Sequence, residues 1–176
     1  TMPMEKIELG LVSFFDYLNR NKDSIKPINL DSKDEIGIMA KLVNSNIDNV
    51  KNSIEQEKAI VNDNIRVVNA VKNGNLTQRV LAHSDNPELN KLTMTFNEML
   101  EIFEKKIGSN LNQIVDVLSQ YSNYNFTIEI NNAKGEVELN INSLRKVIVQ
   151  MLKINKEDSV NLSGVEKELI ENIHKL

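Results

Sequence analysis

Asn64-Ile-Arg-Val-Val-Asn-Ala-Val-Lys-Asn-Gly-Asn-Leu-Thr-Gln-Arg-Val80 is matched without gaps by Ile114-Val-Asp-Val-Leu-Ser-Gln-Tyr-Ser-Asn-Tyr-Asn-Phe-Thr-Ile-Glu-Ile130, about fifty residues further on. Val67, Val68 and Val71 fall on Val117, Leu118 and Tyr121, and Leu76 and Val80 fall on Phe126 and Ile130. Asn73, Asn75 and Thr77 recur unchanged as Asn123, Asn125 and Thr127. Beyond each block a new helix opens on glutamate and an apolar residue. These starts read Pro87-Glu88-Leu89-Asn90 and Gly135-Glu136-Val137-Glu138, and a third stands upstream at Asp34-Glu35-Ile36-Gly37. Repeats of this kind set the architecture: the chain reads as three helix–connector–helix units in tandem.

Composition agrees with an all-α reading. In 176 residues there are 6 Gly, 3 Pro and 5% aromatics, too few turn formers and rings for a sandwich, barrel or doubly wound sheet. The absence of Cys excludes a disulfide framework and thiolate metal sites and suits a reducing compartment. A formal charge of −4, from 21 basic and 25 acidic side chains, gives no electrostatic case for nucleic acid. Apolar runs such as Val147–Val149 and Leu11–Phe15 fall far short of the roughly 18 residues of a membrane span. The expectation is a soluble chain without a signal peptide, with any membrane link through flanking spans.

From Ile36 a seam of Ile36, Ala40, Val43, Ile47, Val50, Ile54, Glu57, Val61, Asn64, Val68 and Val71 steps by alternate fours and threes, as in a coiled coil. Ser32-Lys-Asp-Glu35 has the form of a capping box, and Gly74 stands where the helix stops. A helix over Ser32–Asn73 would be about 60 Å long at 1.5 Å per residue, and no monomer of this size buries so long a stripe. The pattern calls for a partner. A second long helix, predicted over Asn86–Asn123, starts with an N-cap asparagine and Pro87. Its seam runs Leu89, Thr93, Phe96, Leu100, Phe103, Ile107, Leu111, Ile114, Leu118 and Tyr121, with a stutter at Phe103–Ile107–Leu111 beside Gly108. That stutter reads either as an irregularity or as a junction that can change phase. The polar seam members Glu57 and Asn64 read either as a tunable weak point or as exposed positions where the seam drifts.

The connectors place two apolar residues four apart in polar, extended sequence, Leu76 and Val80 in one and Phe126 and Ile130 in the other. Such residues let a connector lie in a groove and return along the helix, leaving the two helices of a unit parallel. A hairpin loop in a monomeric bundle is the alternative.

An amphipathic helix, a connector opening Gly-x-Leu and a second helix opening Asp-Glu-x-Gly resemble the HAMP signal-relay domain. Its second-helix pattern is similar to Ile36, Met39, Val43 and Asn44, and to Leu89, Leu92, Phe96 and Asn97, with Met99 at a further apolar position. Pro3, Ile7, Leu11, Phe14 and Leu18 resemble its first helix. The stretches Gly10–Asn19 and Asn29–Lys41 look like the membrane-proximal cytoplasmic part of methyl-accepting chemotaxis receptors from Campylobacter-like bacteria. The third unit departs, with Tyr124 for the connector glycine and Gly135-Glu136 at the helix start, and the first connector shows Asn19-Arg-Asn21. Different paths are expected for those two connectors.

The resemblance implies three concatenated HAMP units, residues 3–55, 56–106 and a divergent 107–152, with 153–176 leading toward a signalling bundle. Each would be a parallel four-helix bundle made by a homodimer, with long helices shared between units. The helix-start residues would be Asp34, Glu35, Ile36, Gly37, Pro87, Glu88, Leu89, Glu136 and Val137. Connector anchors would be Ile28, Gly74, Leu76, Val80, Phe126 and Ile130. The bundle core would hold Leu11, Phe14, Leu18, Met39, Val43, Val68, Leu92, Phe96, Leu118 and Leu144. Glu35, Glu88 and Glu136 suit the helix dipole whatever else they do; the resemblance adds, for Glu35 and Glu88, a contact with the neighbouring first helix. The implied role is relay from a membrane sensor to a signalling domain that controls a histidine kinase through a coupling protein, at the cytoplasmic face of the inner membrane. A relay feeding a kinase or cyclase domain and a passive coiled-coil scaffold are the alternatives.

No catalytic, cofactor or metal site is expected. His83 and His174 have no partner cluster, and no phosphate-cradling glycine loop is present. Gln56-Glu57 resembles a methylation pair, although a solvated face explains it as well.

Overall fold

A computed structural model describes residues 2–174. Five helices follow one another: α1 Pro3–Leu18, α2 Glu35–Lys72, α3 Pro87–Lys106, α4 Leu111–Ser122 and α5 Glu136–His174. Among the described residues there is no strand, and an isolated bridge pairs Asn75 with Asn110. The last two residues of the predicted output segment, Lys175 and Leu176, lie outside the described residues. Two compact units are distinguished, one holding residues up to Asn64 with Leu81–Thr93, the other Ile65–Val80 with Met94 onward.

In the first unit, α1 starts on Pro3, with the Glu5 carboxylate accepting the Met2 N–H at 3.2 Å. Its core is Ile7, Ile28 and Ala40, with Leu11, Leu30, Ile36 and Val43 packed around them. The start of α2 corrects the capping box expected at Ser32–Glu35. The Ser32 hydroxyl donates instead to Asp34 Oδ1 (2.6 Å), and that oxygen accepts the Gly37 N–H (3.0 Å), so Asp34 is the cap. These two bonds, the hydroxyl first, hold the Asp34 carboxyl below its usual range. A side chain at Gly37 would strike the Ser32 carbonyl oxygen, which is why this helix start takes glycine.

The second unit has two cores. Val67, Val80 and Leu100 pack with Val71 and Phe96, and Ile114, Val117, Tyr121, Ile130 and Ile141 pack with Ile107, Phe126, Ile128 and Ala133. The unbroken helix predicted over Asn86–Asn123 is corrected here. α3 stops at Lys106, Gly108 takes φ +145°, and Asn110 caps α4 by accepting the Asn112 and Gln113 N–H groups at 3.0 and 3.3 Å. The stutter beside Gly108 is therefore a break: only glycine accepts that φ readily, and the asparagine offers the new helix a better start than continuation does.

The predicted seam of α2 is also displaced by one residue at two positions of its second half, while Val71 packs on the core as predicted. Ile60 and Val67 are buried, while Val61 and Val68 are exposed. Both columns are apolar; the chain's own connector covers one and leaves the other in solvent.

Candidate functional site

The connectors are the parts of this fold that repeat in geometry as well as in sequence. Each first helix ends in the same reverse turn. Arg20, Gly74 and Tyr124 all take positive φ, at 60°, 83° and 62°. Their N–H groups donate to Tyr17 O, Val71 O and Tyr121 O at 3.0, 2.9 and 3.0 Å. The next residues, Asn21, Asn75 and Asn125, donate to Asp16 O, Ala70 O and Gln120 O at 2.8, 2.9 and 2.9 Å. This is the Schellman pattern three times over. The different path expected for the first and third connectors is thus corrected at its start: arginine and tyrosine are held in the conformation glycine adopts freely. Asn75 Oδ1 then accepts both the N–H and the hydroxyl of Thr77, and Asn125 Oδ1 does the same for Thr127.

Strain at the two non-glycine turns gives opposite expectations for two substitutions. Tyr124 is exposed, so Tyr124→Gly relieves left-handed strain without losing packing, and it is expected to stabilise by roughly 0.5 kcal/mol after the added chain entropy. Gly74→Ala, at φ +83° and against the Asn112 amide, is expected to destabilise by about 1–2 kcal/mol. Thermal melts of the two variants check the pair of signs.

The second repeated device is an asparagine clamp. Asn44 Oδ1 accepts the Ile28 N–H at 2.7 Å while its Nδ2 donates to Ile28 O at 3.0 Å. Asn97 holds Val80 in the same way, both bonds 2.9 Å, and Asn142 holds Ile130, again both 2.9 Å. Each clamped residue is buried. One side chain thereby satisfies both backbone groups of a connector residue whose own side chain fills the core, which a buried extended segment requires. Asn142 escaped the sequence reading because the third connector is shorter. The clamp spans 16, 17 and 12 residues from Ile28, Val80 and Ile130. Seven residues before the asparagines stand Gly37, Asn90 and Gly135, so in clamp register Asn132–Gly135 aligns with Asp34–Gly37, although α5 itself begins at Glu136, within the predicted Gly135–Glu138 start. An Ile-Asn step after a helix start, as in Val43-Asn44 and Phe96-Asn97, was the available signal.

Further contacts fix the direction of the second connector. Asp63 Oδ2 accepts the Leu81 and Ala82 N–H groups, and Gln56 Oε1 accepts that of Asp85. Arg66 donates to Gln78 Oε1 and Arg79 O. As the connector advances, its partners on α2 step backward, so it returns along the helix. Asn90 adds a second clamp on buried Ser84, at 3.0 and 2.6 Å. Asn86 caps α3 through the Glu88 and Leu89 N–H groups and reaches Glu57 at 3.4 Å. Gln56 and Glu57 are thus engaged at a helix start, and Asn64 donates to Ile60 O of its own helix. In the third connector Arg145 donates to Phe126 O and Thr127 O, and the Tyr121 hydroxyl to Ile128 O at 3.0 Å, where burial pushes its pKa up.

The remaining predicted residues divide cleanly. Leu76, Val80, Ile28 and Ile130 are buried, Gly74 is enclosed at its turn, and Phe126 is half-buried against Tyr121, with ring centroids 5.3 Å apart. Leu11, Phe14, Val43 and Phe96 are half-buried, whereas Leu18, Met39, Val68, Leu92, Leu118 and Leu144 stand exposed in the single chain. Ile36 and Leu89 are half-buried; Glu35, Pro87, Glu88, Glu136 and Val137 are exposed, and Glu136 pairs with Lys106 at 2.6 Å. The buried carboxylate at the third helix start is Glu138, which the sequence reading did not single out.

Among the described residues no cluster of His, Asp or Glu has metal-site geometry, and no helix is long and apolar enough to cross a membrane. The HAMP domain family matches residues 65–104, that is, the last two turns of α2, the connector to Asn86 and most of α3. No curated protein and no solved structure matches the chain. Over residues 65–104 the chain is thus similar to HAMP domains, relay modules that lie on the cytoplasmic side of membrane sensors.

Proposed function

We propose that the chain is a run of three HAMP units, residues 3–55, 56–106 and 107–152, that relays conformational bias from a membrane sensor to the signalling domain of a chemoreceptor. The observation that carries this reading is the docking geometry found three times: a Schellman turn, a returning connector and an asparagine clamp on a buried aliphatic residue. A passive spacer has no use for three such connectors. Two parallel copies complete each bundle. Support comes from the apolar column left in solvent beside the buried one, with Val61 and Val68 next to Ile60 and Val67, and from Phe103, Leu118 and Leu144, which are exposed on α3, α4 and α5. From Met151 onward every described residue of α5 is exposed, Leu162, Val165 and Leu169 among them, which suits a helix that pairs with its copy on the way to the output.

Relay then needs only a bundle with two packings a few kcal/mol apart, whose populations the sensor biases. In the full receptor, substitutions at Ile36, Met39 or Leu89 are expected to lock kinase output on or off while ligand affinity at the sensor stays the same. Normal signalling by folded variants at all three positions would reject the relay.

A further inference from the structure

The α3–α4 break is clasped from two sides. On one side the Leu76 N–H donates to Ser109 O (3.0 Å), the Leu111 N–H to Gly74 O (2.8 Å) and Asn112 Nδ2 to Asn73 O (2.9 Å), so α4 begins on the end of α2. On the other, the Glu138 N–H donates to Ile107 O (3.3 Å), and α5 begins on the end of α3. Between them lies the Glu138 carboxylate, 1% exposed. Its Oε1 accepts the Ser109 N–H (3.0 Å), and its Oε2 accepts those of Lys134 and Gly135 (2.9 and 3.0 Å). A side chain at Gly108 would collide with this carboxylate.

The same segment is competent for helix. Phe103, Ile107 and Leu111 recur at fours, and Gly108 is the one strong breaker, worth about 1 kcal/mol in a helix. Continuation would require the Leu111 N–H to bond Ile107 O and the Ser109 N–H to bond Lys105 O. Leu111 now serves Gly74 O, Ile107 O already accepts from Glu138, and Ser109 serves the carboxylate. The two arrangements compete for the same donors and acceptors, so passage from one to the other would be a discrete exchange instead of a gradual deformation.

We propose that Glu138 is a latch that selects between two stackings of this junction. With its carboxylate inserted, α4 rests on α2 and α5 on α3; with it withdrawn, residues 107–110 become helical and α3 fuses with α4. The use of such a latch in signalling rests on the relay reading, but its existence is a property of the backbone and is tested apart from any receptor output.

The test is NMR on the 176-residue chain carrying Glu138→Gln, which keeps one acceptor and turns a donor toward the Lys134 and Gly135 N–H groups. Residues 107–110 are expected to acquire helical Cα shifts, and exchange of the Leu76 amide to rise by roughly tenfold or more as Ser109 O turns away. The Val80 amide, clamped by Asn97, is expected to stay protected. If Val80 loses protection as well, Gly108→Ala decides the matter, since it favours helix and expels the carboxylate while leaving the sequence of α5 unchanged. Should neither variant give a helical 107–110 segment, the latch is refuted.

Discussion

Leu76→Asp is expected to destabilise the chain by about 4 kcal/mol, because a carboxylate would be buried without a partner. Leu76 is 2% exposed, at the point where the second connector leaves its turn, and its N–H is already committed to Ser109 O. For a chain of this length the melting temperature is expected to fall by on the order of 10 °C. Leu81, five residues on in the same connector, is 80% exposed. Leu81→Asp is therefore expected to change stability by no more than about 0.5 kcal/mol. Phe126→Asp, half-buried against Tyr121, falls between the two. Equal melting curves for Leu76→Asp and Leu81→Asp would show that the connector does not lie in a groove.

Asn97→Ala is the second large expectation. The substitution removes both bonds of a clamp and leaves the N–H and carbonyl of buried Val80 without partners, at a cost of about 2–4 kcal/mol. Hydrogen exchange at the Val80 amide is the specific readout, because loss of bulk alone would not expose it. Asn97→Asp is expected to rescue little: the carboxylate still accepts from the N–H, but it faces the Val80 carbonyl with no proton to give. Full protection of Val80 in Asn97→Ala would show that the Asn97 clamp does not hold the connector.

The sequence was most informative where physics leaves a periodic trace. Leu76 and Val80 are conspicuous as apolar residues four apart in polar extended sequence, and Asn86-Pro87-Glu88 announces the start of α3. It was least informative where one residue's backbone angle or one side chain's reach decides. Seam counting carried the second long helix through Gly108, because hydrophobic spacing does not register a φ of +145° or the cap that Asn110 supplies to α4. Arg20 and Tyr124 hid turns identical to that of Gly74, since surrounding hydrogen bonds can hold a non-glycine residue at positive φ. Ser32 looked like a cap because of its spacing to Glu35, yet Asp34 is closer to the Gly37 amide and takes it. Asn142 and Glu138 were obscured by the shorter third connector, which shifts the helix start against the repeat.

The off-by-one seam on α2 has a further meaning. Ile60 and Val67 face the chain's own groove, whereas Val61 and Val68 form the adjoining column that the proposed second copy would cover. A stripe broad enough for both contacts cannot be split into its two faces by hydropathy alone.

In the proposed assembly two copies lie side by side in the same direction. Single spin labels placed in turn at the exposed positions Lys58, Glu101 and Lys156, one per chain, test it by inter-chain distance. A parallel pair is expected to give a short, well-defined separation at all three positions. A short separation at Glu101 alone, or none at any protein concentration, would contradict it.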